Sequence, residues 1–165
     1  MPIKKINDGT TEFLLFVDTN FKKNEDAEGF VYKSVLMKIT YNNGTFLFTG
    51  DTRGDPTGKK KKSEYRIVQD YGDMLRSDVL KASEHGSNNG NTDKLLDVVK
   101  PGIIGISAKP GGEHQDQTAI ERFDERGIQW FTTNRDKTFI IRTDGIRGNE
   151  GEVGYNIELN VPDPD

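Results

Sequence analysis

The sequence predicts a mixed α/β sandwich in one domain, and three features of the chain carry that prediction. Strand-like apolar runs fill the first third, strands and helices alternate in the middle, and short strands joined by turns close the chain. This order favours helices packed on a sheet over a doubly wound sheet. A length of 165 residues without an internal repeat or an evident linker suits a single domain spanning residues 1–165.

The first third predicts three strands. Residues 13–17 form a short apolar run, and residues 31–41 alternate apolar and polar side chains with the period of a half-buried strand. The following Asn42-Asn43-Gly44 predicts a tight hairpin, because Asn and Gly tolerate positive φ. The returning strand, TFLFTG, ends at Gly50-Asp51.

The middle of the chain predicts helices and strands in turn. The apolar spacing in RIVQDYGDML indicates a helix, with Ser63 as its N-cap. Residues 78–82 form a short strand that runs into EHGS. A helix capped by Asn91 or Thr92 then stops before Pro101. Residues 102–108, GIIGISA, are typical of a strand covered on both faces.

The last third predicts one helix and three strands. Asp116 is placed to cap the helix, and Gly127 to end it. IQWFTT and TFIIRT indicate two strands joined through residues 134–136, as in a hairpin. GYNIELNV, after the turn at Asp144-Gly145, indicates a last, alternating strand.

Composition narrows the function classes. Hydrophobic residues make up 32% of the chain and charged residues of both signs 30%, which predicts a modest core and a soluble protein. The composition fits more than one compartment, and a cytoplasmic location is the favoured interpretation. The net charge of -4 argues against nucleic-acid binding by the whole surface. Cysteine is absent, so disulfides, thiolate zinc sites and cysteine nucleophiles are excluded. No apolar run is long enough for a signal peptide or a membrane helix.

Asp51 and His85 are the first candidates for chemistry. Asp51 follows an apolar strand, where a carboxylate can bridge cations, although Gly-Asp is also a common turn dipeptide. His85 follows another strand and can present a neutral nitrogen to zinc, although a lone loop histidine is more often bonded to a carbonyl. Glu84 is a further oxygen donor, but in an extended strand it would point away from His85, so both could bind one ion only if the strand has already ended.

Two other features are more ambiguous. His114 lies in the glycine-rich KPGGEHQD, where it could be a ligand, a proton donor, a phosphate contact or a plain exposed histidine. The run of residues 59–62 is all lysine. It could contact a phosphate backbone, but a solvated loop is the favoured interpretation.

The order of these segments resembles the C-terminal half of a metallo-β-lactamase-fold domain of the kind attached to ComEC DNA-uptake competence proteins. KSVLMKITYNNGTFLFTGD is similar to the family's strand pair, whose end carries a metal-bridging aspartate at the position of Asp51. DVLKASEHGS is similar to a segment in which the family usually has His-His-Gly-Ser, with Glu84 in place of the first histidine. A later family histidine matches His114. The resemblance covers about residues 31–146 and includes WFTTNRDKTFIIRTDG.

The resemblance implies an αββα sandwich of which this chain holds the C-terminal part. It implies a hydrolase that uses zinc or manganese, with Asp51 and His85 as metal ligands and His114 as the catalytic contact to phosphate or leaving group. The implied substrate is a phosphodiester, such as DNA. The family's His-x-His-x-Asp-His motif is absent from this sequence. Either the missing N-terminal half or a partner chain supplies it, or the protein is a degenerate, non-catalytic binding or scaffolding module.

Overall fold

A computed structural model describes residues 4–7, 9–17, 34–57, 62–109, 115–149 and 151–160. Within these ranges the protein is mixed α/β, as the order of apolar runs predicted. Its largest element is a seven-stranded sheet in which the strands lie side by side in chain order. The strands are β1 (Lys4–Asn7), β2 (Thr11–Phe16), β3 (Leu36–Tyr41), β4 (Gly44–Phe48), β5 (Val79–Lys81), β6 (Ile103–Ile106) and β7 (Gln129–Thr132).

The sheet changes direction at β4. Strands β1 to β4 pair antiparallel, and β4 to β7 pair parallel. Parallel neighbours need crossover connections, and each of the three here contains a helix. The helices are α1 (Ser63–Tyr71), which continues into a 3₁₀ turn at Gly72–Leu75, α2 (Asp93–Val99) and α3 (Gln117–Glu125).

The sheet has a different partner on each face. Neighbouring strand residues point to opposite faces, so Leu80 and Ile104 pack towards the helices while Val79 and Ile103 pack on the other side. The helix side holds the main core, with Ile67, Leu96 and Phe123 among the buried helical residues. The other side is covered by a two-stranded sheet, β8 (Phe139–Arg142) paired antiparallel with β9 (Asn156–Leu159).

Several sequence predictions are confirmed. The hairpin between β3 and β4 turns through Asn42, whose φ is 52°, and Asn43. Thr92 is the N-cap residue of α2. Asp116 caps α3, its side chain accepting the Thr118 N–H at 2.8 Å. Three of the four β6 residues are buried, as its continuous apolar run predicted.

Other predictions are wrong. Ser63 is the first residue of α1 and not its N-cap, which is Lys62; the Ser63 hydroxyl donates instead to the Arg53 carbonyl at 3.2 Å. Strands β7 and β8 do not form a hairpin. The short helix α4 (Thr133–Asp136) separates them, and β8 leaves the sheet to pair with β9. β1 was not predicted because its sequence, KKIN, contains a single apolar residue.

This topology gathers the loops that carry the candidate residues. Because β4, β5, β6 and β7 run in the same direction, their carboxyl ends meet at one edge of the sheet. In open α/β sheets this is the edge at which ligands bind. Asp51 follows β4, His85 follows β5 and Ser107 follows β6.

Candidate functional site

Asp51 stands in a tight turn directly after β4. Gly50 has a φ of 57°, and a Cβ added there would lie 3.2 Å from the Cβ of Ser34, so glycine suits this position. The Asp51 N–H donates to the Ser34 hydroxyl at 3.0 Å. The backbone is thereby fixed while the carboxylate faces outward, with 51% of the side chain exposed.

His85 occupies a strained turn after β5. Glu84, His85 and Gly86 have consecutive positive φ angles of 46°, 56° and 84°. Each non-glycine residue in the left-handed region costs about 1–2 kcal/mol, so surrounding contacts must hold this turn. One of them is the packing of Gly86 on β6, where an added Cβ would lie 3.0 Å from the Ile106 side chain. Such strain is concentrated at functional sites.

A main-chain carbonyl sets the tautomer of His85. The imidazole Nδ1 lies 2.6 Å from the carbonyl oxygen of Ser107 and 3.2 Å from its hydroxyl. A carbonyl oxygen only accepts, so Nδ1 carries the hydrogen and donates it. The opposite nitrogen, Nε2, is therefore the one presented towards Asp51. A hydrogen bond from the ring nitrogen that does not face the metal is the usual way in which proteins orient a metal-binding histidine.

Asp51 and His85 are close enough to share one ion. The Oδ1 of Asp51 and the Nε2 of His85 are 3.6 Å apart, which is longer than a hydrogen bond. Two ligands of one tetrahedral zinc, with bonds of roughly 2.1 Å, stand about 3.4 Å apart. The donor types and the separation thus fit a zinc-like ion. Among the described residues no group of three or more His, Cys, Asp or Glu side chains could hold a metal, so this pair needs further donors.

Glu84 is turned away from this pair. The strand ends at Lys81, so the strict alternation of an extended strand does not govern residues 84 and 85. Glu84 instead forms an ion pair with Arg53, and only 6% of its side chain is exposed. Its Oε2 is buried and has no hydrogen-bond partner among the described residues. The expectation that an extended strand would separate Glu84 from His85 does not apply, because the strand ends at Lys81; it is the ion pair with Arg53 that holds Glu84.

Lys81, the last residue of β5, adds a positive charge beside the pair. Its ammonium donates to the Ala82 carbonyl at 2.7 Å. Burial lowers the pKa of Lys81, and the nearby Asp51 carboxylate partly offsets this effect. The edge therefore carries an anion and a cation close together. No local pattern in the sequence distinguishes Lys81 from an ordinary strand lysine.

A buried polar cluster supports the turn that carries His85. Asn91, fully buried, accepts the Ser83 N–H at 2.8 Å and donates back to the Ser83 carbonyl at 3.1 Å. Glu64 from α1 accepts the N–H groups of Asn91 at 3.0 Å and of Thr92 at 2.9 Å. Arg122 from α3 donates to the carbonyl of Asn91 at 3.0 Å. Two helices thus anchor the loop between β5 and α2.

The buried carboxylate carries an electrostatic cost. Burial raises the pKa of Glu64, and the hydrogen bonds from Thr92 and Asn91 and the charge of Arg122 oppose that rise. We name the group of Glu64, Asn91, Thr92 and Arg122 the buried cluster. Sequence reasoning missed Glu64 and Arg122, since no local signal distinguishes them from charges on a solvated helix face.

Two sequence candidates fall wholly or partly outside the described residues. His114 is outside, although its neighbours are placed: the Asp116 N–H donates to the Gly86 carbonyl at 3.0 Å, and the Gln115 side chain accepts from the Thr132 hydroxyl. Of the lysine run, residues 59–61 are outside, and Lys62 precedes α1.

The comparisons with known proteins identify no family. No family model matches the chain, and no curated protein matches it significantly. Across the described ranges, no helix has the length and apolar character needed to cross a membrane. The edge of the sheet that carries Asp51 and His85 is therefore the main guide to function.

Proposed function

We propose that this chain contributes part of the divalent-metal site of a ComEC-like phosphodiester hydrolase of the metallo-β-lactamase superfamily. The observation that carries the proposal is the pairing of Asp51 with His85, 3.6 Å apart, with the His85 ring fixed by Ser107. The layers support it: helices cover one face of the sheet and a small second sheet begins on the other, as one half of an αββα sandwich requires.

The residues at this edge have separable roles. Asp51 supplies the negative charge that holds a cation, and His85 presents Nε2 because Nδ1 donates to the Ser107 carbonyl. Lys81 supplies a positive charge for an anionic oxygen of the phosphodiester. A bound zinc or manganese ion would provide Lewis acidity and lower the pKa of its water. His114 keeps its proposed role as the contact to phosphate or leaving group, next to Gln115.

The remaining metal ligands must come from outside the described pair. The resemblance supplies their identity, a His-x-His-x-Asp-His motif carried by an N-terminal half or by a partner chain. We therefore expect this chain alone to bind zinc weakly and to hydrolyse little. Activity belongs to the completed site.

Metal binding by three variants tests the pair. We expect zinc affinity to fall more than about tenfold in Asp51→Ala and in His85→Ala, because each removes one of two ligands. The matched control is Asp73→Ala, an exposed aspartate in the turn before β5, which should bind zinc as the wild type does. Calorimetric titration measures all four proteins. Zinc binding that survives both site substitutions would overturn the assignment.

A second candidate function is a non-catalytic binding or scaffolding module on the same fold. The observation that favours it is the ion pair between Glu84 and Arg53. Glu84 stands where the family has its first histidine, and its carboxylate is bound to Arg53. Hydrolysis separates the two candidates. If the protein is a hydrolase, a zinc-loaded complex with the N-terminal half should cleave bis(4-nitrophenyl) phosphate. If it is a non-catalytic module, the same complex should bind a phosphodiester without cleaving it.

A further inference from the structure

A small apolar cleft opens beside the proposed metal pair. It measures about 230 Å³ and lies between the parallel part of the large sheet and β8. Phe46 and Phe48 of β4 line one side, and Phe139 and Ile141 of β8 line the other. A Cβ added to Gly105 would lie 3.3 Å from the Phe139 ring, so a side chain at this position of β6 would narrow the cleft.

The cleft and the proposed site share residues. Lys81 and Ser107 also line the cleft. The same Ser107 accepts from the His85 ring, and the charge of Lys81 lies near Asp51. A ligand seated among the phenylalanines would therefore reach the polar edge without leaving the cleft. By contrast, a larger and more open depression of about 770 Å³ is lined by residues between 142 and 156 and includes neither Asp51 nor His85.

Size and lining define what the cleft can hold. Pockets for whole drug-sized ligands measure roughly 300–1,000 Å³, so this cleft suits one ring rather than a larger molecule. Aromatic side chains favour an aromatic ring by stacking and by edge-to-face contact. The ammonium of Lys81 complements a negative group attached to that ring.

The geometry points to a binding site for an aryl phosphodiester, with its ring among Phe46, Phe48 and Phe139 and its phosphate beside Lys81. The inference deepens the proposed function and rests on it only for the placement of the phosphate at the metal pair. Ring binding stands on the cleft alone.

Two model diesters of equal charge test the ring. Methyl phenyl phosphate has a phenyl group where dimethyl phosphate has one of its two methyl groups. Both diesters are titrated into the 165-residue chain in the presence of a chelator. Amide chemical shifts of Gly105 and Ser107 report binding at the cleft. We expect methyl phenyl phosphate to bind about tenfold more tightly, because the ring buries apolar surface.

Three variants locate the two ends of the ligand. Phe48→Ala should weaken methyl phenyl phosphate about fivefold and leave dimethyl phosphate unchanged, since it removes apolar contact alone. Lys81→Met, which keeps the aliphatic stem, should weaken both diesters. Tyr41→Ala is the matched control, because Tyr41 lies on the same sheet face and is 40% exposed against 39% for Phe48. It should change neither affinity.

The outcomes are distinct from those of the metal test. Equal affinity for the two diesters, or equal losses in Phe48→Ala and Tyr41→Ala, would refute the cleft. If the protein prefers methyl phenyl phosphate but zinc affinity is unchanged in Asp51→Ala and His85→Ala, the cleft proposal stands and the hydrolase proposal fails. If zinc affinity falls in both variants but the two diesters bind equally, the hydrolase proposal stands and the cleft proposal fails.

Discussion

Two polar groups of residues lie at the same edge of the sheet and differ in how their atoms are used. In the buried cluster, Glu64, Asn91 and Arg122 are 1%, 0% and 7% exposed, and each is hydrogen-bonded to the backbone. In the surface pair, about half of each side chain of Asp51 and His85 is exposed, and their facing atoms are beyond hydrogen-bond distance. Burial requires partners for polar atoms, whereas exposure permits a gap that an ion can occupy.

The buried cluster stabilises the loop, and the surface pair is available to bind a ligand. The buried cluster holds Ser83 and the loop up to Thr92, and so fixes the left-handed turn that presents His85. The surface pair contributes little to that framework. Substitutions in the cluster should therefore change stability first, and substitutions in the pair should change ligand binding first.

The largest effect is expected from Glu64→Ala. It leaves the N–H groups of Asn91 and Thr92 without their acceptor and Arg122 without its nearby carboxylate. Breaking a buried charged arrangement in this way costs about 3 kcal/mol of unfolding free energy. Urea denaturation measures the loss. Asp70→Ala, an exposed carboxylate on the same helix, is the control and should cost under about 0.5 kcal/mol. Similar losses in the two variants would contradict a structural role for the cluster.

A smaller loss is expected from Gly90→Ala, near the end of the loop between β5 and α2. The added Cβ would lie 2.9 Å from the Cβ of Ser83 and 3.2 Å from the Thr52 carbonyl, so the backbone must shift. Overpacking of this kind costs about 2 kcal/mol. Gly154→Ala is the matched control because nothing lies within 4 Å of its Cβ position. Thermal unfolding of both variants checks the expectation, and a neutral Gly90→Ala would mean that the loop is less closely packed than its contacts indicate.

The surface pair was predictable from sequence, and the buried cluster was not. Asp51 and His85 were singled out because each follows an apolar strand, and the resemblance assigned both to one metal site. The parallel pairing of β4 and β5 does bring the two positions to one edge. Glu64 lies in the first turn of a helix, where a glutamate ordinarily faces solvent. Its burial depends on how α1 lies over the loop that ends at Asn91, and no local pattern encodes that packing.

The left-handed turn was also beyond sequence reasoning. Glu84 and His85 prefer other backbone conformations, and the contacts that override this preference come from distant residues. The Glu84 N–H donates to the Gly50 carbonyl at 3.0 Å, and Gly86 packs on Ile106. The period of the apolar residues does not show that the strand ends at Lys81. Nor does it show that residues 84–86 adopt positive φ angles.

The pH dependence of stability offers a further test of the buried cluster, because burial raises the pKa of the Glu64 carboxylate. Between the ordinary pKa of glutamate and the raised pKa of Glu64, the native state keeps a proton that the unfolded chain has lost. The contribution of Glu64 to unfolding free energy therefore falls as pH rises through that window.

Glu64→Gln isolates this contribution. The unfolding free energy of the wild type minus that of Glu64→Gln, measured in urea at several pH values from about 4 upward, should decrease with pH. A difference that grows with pH would mean that the hydrogen bonds from Thr92 and Asn91 outweigh burial and that the ionised carboxylate stabilises the fold.

The smallest effect is expected from Ser107→Ala, which tests how His85 is oriented. The substitution removes the hydroxyl 3.2 Å from Nδ1 but keeps the carbonyl oxygen at 2.6 Å, the shorter and better contact. If the carbonyl sets the tautomer, zinc affinity should fall by less than about threefold, because a weak second acceptor contributes about 0.5 kcal/mol. Competition with a chromogenic chelator measures the affinity, with His85→Ala as the reference for full loss. A fall of tenfold or more would assign the orientation of the ring to the serine hydroxyl. The surface pair would then depend on a side chain, as the buried cluster does, and the division between framework and site would be less sharp.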